Sequence, residues 1–139
     1  KKLMEDGRFG RKNEKGFYEY RGGKKYGPDP SVYELTPTGR ERIDMAPEDI
    51  AERLLLAFCN ETALVLEENV LRNPRDGDVG GIMGIGFPPQ LGGPFFYMDT
   101  RGIENVVDAI GKLEEKFGSR FSAPQILKDM AKQGKKFFG

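Results

Sequence analysis

Asn60, Glu61, Asp76, Asp78, Gly84 and Gly86 are the residues whose types and spacing most invite a chemical reading. Asp76-Gly77-Asp78 has the start of a hard-cation loop, which needs further oxygen ligands at fixed offsets and a closing Glu. Those offsets hold Gly80, Ile82 and Gly84, so helix capping and dipole complementarity after Pro74 is the better reading. Gly84-x-Gly86 suggests a dinucleotide loop, but that loop follows a buried strand and carries a third glycine where this chain has Pro89. Glu61, beside the apolar run Leu54–Cys59, would be an acid or base only with a second catalytic group at a partnered spacing. None is present, so pairing with Arg53 or Arg75 is expected instead. The chain contains no histidine, which removes the side chain that most often accepts a proton near neutral pH.

The remaining candidates also have ordinary readings. Cys59, the one cysteine, excludes an internal disulfide and sits in an apolar helical stretch, where cysteine behaves as a small, unreactive hydrophobe. Arg8, Arg11, Lys12, Lys15, Arg21, Lys24 and Lys25 interleave with Phe9, Phe17, Tyr18, Tyr20 and Tyr26 in the manner of a nucleic-acid-binding arm. Glu5, Asp6, Glu14 and Glu19 dilute that stripe, and 22 basic residues against 22 acidic ones leave the chain neutral. No nucleic-acid partner is therefore expected. No apolar run reaches the roughly 20 residues of a membrane span. Lys1-Lys2-Leu3-Met4-Glu5-Asp6 is not a secretory leader, and so abrupt a start reads as a cut from something longer.

These residues need elements to position them. Over residues 1–45 the density of Gly and Pro forbids a long helix; Gly16–Tyr20 reads as a brief strand or extended segment and the rest as an extended linker. At Pro47 the composition shifts. Proline at the first helical turn, followed by Glu48 and Asp49 at the positive end of the dipole, opens a helix expected over 47–71 and apolar around most of its girth. Residues 74–86 suggest a short helix with a glycine-rich finish, 87–94 a loop, and Phe95–Asp99 another helical turn. Ile103, Val106, Val107, Ile110, Leu113 and Phe117 predict an amphipathic helix over 102–117 capped by Asp99 or Thr100, with Gly118 past its end. Ser122 is expected to cap a last helix with Leu127, Met130 and Ala131 inward and Gly134 beyond it. The class is all-α with an extended N-terminal arm.

Gly10-Arg11-Lys12 with Gly16-Phe17-Tyr18 resembles the segment that closes a helical repeat in 3-hydroxyacyl-CoA dehydrogenases. Arg53–Leu56, Asn60-Glu61, Pro74–Asp78, Gly84–Pro89, Gly92–Phe95 and Tyr97-x-Asp99 resemble, in series, the second C-terminal repeat of multifunctional enoyl-CoA hydratase/3-hydroxyacyl-CoA dehydrogenases of fatty-acid β-oxidation. The resemblance implies a helical domain like the C-terminal domain of 6-phosphogluconate dehydrogenase over 46–139, preceded over 1–45 by the end of another repeat and a linker. It also implies that the chemistry lies elsewhere in a parent chain. NAD, acyl-CoA, the oxidoreductase His–Glu pair and the hydratase (lyase) glutamates all belong to absent domains. The place of a substrate-contacting Asn in the first repeat holds Glu52 here, so no catalytic, cofactor or metal residue is carried over. The partners implied are the preceding repeat and the NAD-binding domain, with a thiolase subunit left open. The location implied is the bacterial cytoplasm, or the mitochondrial matrix as the alternative. Phe17, Tyr18, Phe87, Pro88, Phe95, Phe96 and Tyr97 are the expected interdomain contacts, or simply core. A free-standing interaction module using the Pro-Phe loop is the competing reading.

Overall fold

The computed structural model describes residues 1–37 and 44–139. It is mostly helical, with one two-stranded sheet, and divides into two compact units, Lys1–Asp44 and Met45–Gly139.

In the first unit a short helix α1 (Lys2–Glu5) precedes strands β1 (Tyr18–Arg21) and β2 (Lys24–Pro28), and a 3-10 turn spans Pro30–Leu35. The expected extended linker is thus partly a hairpin. Gly22 and Gly23 both adopt positive φ, 56° and 73°, the two-residue turn whose twist matches paired strands. Val32 is the unit's one buried hydrophobic residue among those described, so the apolar core is minimal. An ionic centre replaces it. The Arg8 guanidinium, with 2% of its side chain exposed, donates to Asp6 at 2.8 Å, to Asp29 at 2.6 Å, to the Gly16 carbonyl at 2.7 Å and to the Ser31 hydroxyl. Its planar fork serves four acceptors in three segments that a point charge could not reach together.

This centre makes the unit sensitive to acid. Hydrogen bonds from Ser31 and Arg8 hold the Asp29 carboxyl down at about 2, and Lys15 and Arg8 lower Asp6. The unfolded chain therefore binds more protons than the folded one below about pH 4. Stability present above that pH is lost as pH falls towards 2. For Asp29 the loss is at most about 2 kcal/mol. The amide signals of Gly22 and Gly23 are expected to collapse over this window; their persistence at pH 2 would contradict it.

The second unit is a helical cluster: α2 (Pro47–Glu67), α3 (Pro74–Gly80), a π turn Gly81–Ile85, α4 (Pro94–Arg101), α5 (Ile103–Phe117) and α6 (Gln125–Gln133). Helix α2 opens at Pro47 with Glu48 and Asp49 in its first turn, as expected. It ends four residues early, because Asn69 turns left-handed (φ 59°). The Asn69 amide then bonds the Leu66 carbonyl and the Val70 amide the Val65 carbonyl, a Schellman closure with asparagine in the glycine position. Leu56, Cys59, Ala63, Phe95, Met98, Val106, Ile110 and Leu127 form the fully buried core.

Carboxylates from distant segments cap these helices. Asp78 accepts the Phe95 amide at 2.7 Å and the Phe96 amide at 3.2 Å, the first two N–H donors of α4 after Pro94. The local cap position is Gly93 (φ 107°), where a Cβ would overlap the Asp78 carboxylate. Glycine there makes room for a cap from another helix. Helix α6 repeats the device. Ser122 does not cap it; the helix starts after Pro124, and Glu67 at the end of α2 accepts the Ile126 amide at 2.7 Å. The Ser122 hydroxyl instead bonds Glu114. Neither Asp99 nor Thr100 caps α5: Gly102 is its cap residue, and the Thr100 hydroxyl donates to the Phe96 carbonyl at 2.9 Å within α4.

Candidate functional site

The residues that looked chemical are occupied with structure. Asp76 accepts from the Asn73 amide side chain at 3.0 Å, while Asn73 accepts the Asp76 amide at 2.9 Å as the cap of α3. Burial pushes the Asp78 carboxyl up, the two α4 amides pull it back, and Asp99 adds a further upward push. No group of three or more potential metal-binding side chains occurs among the described residues. Gly84 lies in the π turn and Gly86 (φ 84°) closes it ahead of Phe87-Pro88-Pro89. With a helix before it and a proline-rich turn after it, that run has neither the strand nor the helix N-terminus that cradles a pyrophosphate. This segment does not fit NAD.

Glu61 is exposed and lies outside the core. Arg53, its expected partner, stacks over the Phe117 ring at 4.0 Å. Asn60 donates to the Ser122 carbonyl at 3.1 Å, pinning α2 to the approach of α6. Cys59 is buried and burial pushes its thiol up to about 12, leaving no thiolate near neutral pH. Glu52 forms an ion pair with Arg101, which also donates to the Tyr97 hydroxyl at 3.0 Å. Its carboxylate thus fixes a guanidinium at one end of a groove of about 430 Å³ between α2 and α5, which Lys112, Lys116 and Asp108 also line. The charges there are of both signs.

In the first unit two cation–ring pairs form within the basic-aromatic stripe. Lys25 sits over the Tyr18 ring at 3.5 Å and Arg21 over Tyr26 at 3.7 Å. Phe17 is 60% exposed.

The feature that remains open is apolar. A groove of about 400 Å³ runs between the first half of α2 and the π turn. Ala51, Leu54, Leu55 and Phe58 form one wall; Ile85, Gly86, Phe87 and Pro88 form the other. Helix α2, read as buried around most of its girth, buries Leu56 fully in its first half but leaves Ile50 and Leu54 there uncovered. Leu54 is 67% exposed, and across the groove Ile85 is 76% exposed; Met83, in the same π turn but outside the groove lining, is 81% exposed. Their polar atoms are nearly all backbone, so the groove can bind hydrocarbon or aromatic surface and offers no proton transfer.

The expected contact residues therefore separate. Phe87 and Phe95 are core, the second of the two options open to them. Phe87 packs against Phe58 with ring centroids 5.1 Å apart and forms the groove floor. Pro88 forms its lip. Phe96, half exposed, and Tyr97 line a separate shallow trough of about 250 Å³. Sequence reasoning missed Leu54, Met83 and Ile85. For Met83 and Ile85 the signal was a large apolar residue beside glycine in a run too short to bury it.

No family model matches the chain. Among curated proteins it is similar to fatty acid oxidation complex subunit alpha of Shewanella amazonensis, at 49% identity over 99% of this chain and 20% of that protein. The subunits of Idiomarina loihiensis (46%, 99% and 19%) and Vibrio cholerae (47%, 98% and 19%) are similar in the same way. The chain spans about one fifth of the length of these relatives. Continuous similarity at this level, covering both units, places the chain as a segment of the fatty acid oxidation complex subunit alpha family.

Proposed function

We propose that this chain is the C-terminal helical support of a fatty-acid β-oxidation enzyme. The parent would be an NAD-dependent 3-hydroxyacyl-CoA dehydrogenase and enoyl-CoA hydratase of the bacterial cytoplasm. In that enzyme residues 46–139, as a second dehydrogenase repeat, brace the preceding repeat and the NAD-binding domain around the acyl-CoA cleft. The observation that carries the reading is the apolar groove, with Leu54 exposed on one side and Ile85 on the other. An uncovered patch of this kind marks an interaction surface. Four-fifths of the relatives' length lies outside the match, so a covalently attached partner at high effective concentration is at hand. The absence of imidazole and the structural use of Asp76, Asp78, Glu52 and Asn60 support a role in shape and not in reaction.

Calorimetric titration tests this reading against a nucleotide-binding one. The isolated chain is expected to show no heat with NAD and at most weak binding of an acyl-CoA. Saturable NAD binding would overturn the proposal. Deletion of residues 46–139 from the full-length protein separates a brace from a segment that serves only as an interaction module, whose loss would leave dehydrogenase turnover unchanged. As a brace, its deletion lowers kcat/KM for the hydroxyacyl substrate at least tenfold.

A further inference from the structure

Asp99 is a buried carboxylate that neither the core nor the groove requires. It lies in α4, is 9% exposed, and sends both oxygens to successive backbone amides beyond α6. Oδ1 accepts the Phe137 amide at 2.9 Å and Oδ2 the Phe138 amide at 2.8 Å. Successive amides of an extended strand point opposite ways, so two in a row on one carboxylate need a curled segment. The chain bends at Phe137. The Phe137 ring then meets Phe95 edge-on, centroids 4.7 Å apart. Phe95 is otherwise core. The segment leaves α6 through Gly134 in the left-handed region (φ 62°), and Lys135 and Lys136 are exposed.

We propose that Asp99 and Phe95 form a receptor for a curled aromatic peptide segment, filled by this chain's own Phe137–Phe138, which releases and re-docks while α2 to α6 stay folded. The attachment is local: one carboxylate, one ring pair, the half-buried Phe137 and Phe138 at the edge of the core, and a hinge that needs no helix to melt. Release uncovers an aromatic face and two vacant acceptor oxygens together. The partner that fits them has a phenylalanine-like ring and two adjacent free amide N–H groups. The site is on α4 and α6, away from the groove between α2 and the π turn, and does not depend on the proposed function.

Amide exchange on the 139-residue chain tests it. Phe137 and Phe138 amides are expected to exchange at least a hundredfold faster than those of Leu56 and Cys59. Asp99→Asn, which keeps the size and removes one acceptor, should speed them about tenfold more and leave Leu56 unchanged. In Phe137→Ala, an added Lys-Lys-Phe-Phe-Gly peptide should shift the Phe95 ring signals saturably, and the same peptide N-methylated at both phenylalanines should not. Equal exchange of the four amides in the parent chain, or equal binding of the two peptides, would overturn the proposal.

Discussion

Gly93→Ala is expected to destabilise the helical unit by about 1.5–5 kcal/mol. Two costs add. At φ 107° and ψ 164° the backbone occupies a region that is essentially glycine's own, worth about 1–3 kcal/mol for an L-residue. The new methyl also lands on the Asp78 carboxylate, which must withdraw from the Phe95 and Phe96 amides. Losing a cap costs about 0.5–2 kcal/mol more. Urea unfolding followed by helical circular dichroism measures the sum. Gly111→Ala is the control: that glycine is in the interior of α5 with open space at its Cβ, so alanine should stabilise by about 0.5–1 kcal/mol. Equal effects of the two substitutions would contradict both the backbone strain at Gly93 and the Asp78 cap.

Arg8→Met is expected to unfold the first unit. Methionine preserves much of the stem and deletes every donor, leaving the Gly16 carbonyl and the Asp29 carboxylate without their arginine partner. Breaking a buried ionic centre from one side costs about 3–5 kcal/mol. A unit whose apolar core is little more than Val32 has no reserve to absorb that. Arg8→Lys should fare little better, since an ammonium cannot reach four acceptors in a fork. Limited proteolysis reads the result directly: cleavage within residues 8–30 should become rapid while the fragment containing α2 to α6 survives. Protection equal to that of the parent chain would mean that the hairpin stands without its guanidinium.

Much of the helical unit was legible because its signals are local. The spacing of Ile103, Val106, Ile110 and Phe117 gave α5 to within a residue, and Pro47 with Glu48 and Asp49 marked the start of α2. Its end was hidden because Asn69, not glycine, takes the left-handed position. The hairpin was hidden because Gly22-Gly23 sits among charges that mask strand alternation, although the glycine pair was itself the turn signal. The caps were illegible for a deeper reason. Asp78 serves Phe95 across 17 positions and Glu67 serves Ile126 across 59, and no local pattern encodes a partner that distant. Asp78, which looked like a cation ligand, is in the folded chain a receptor for two backbone amides.

The open face was illegible too, because hydrophobic periodicity states that a residue wants cover and not whether this chain supplies it. Leu54 and Ile85 carry that question. Because both are exposed here, charging them should scarcely change the stability of the isolated chain. The decisive measurement is the turnover of hydroxyacyl-CoA by the full-length protein carrying Leu54→Glu and Ile85→Glu. A fall of tenfold or more in kcat/KM, with the isolated chain's unfolding midpoint unmoved, is the expected result. Undiminished turnover in the doubly charged full-length protein would contradict the claim that this face braces the enzyme.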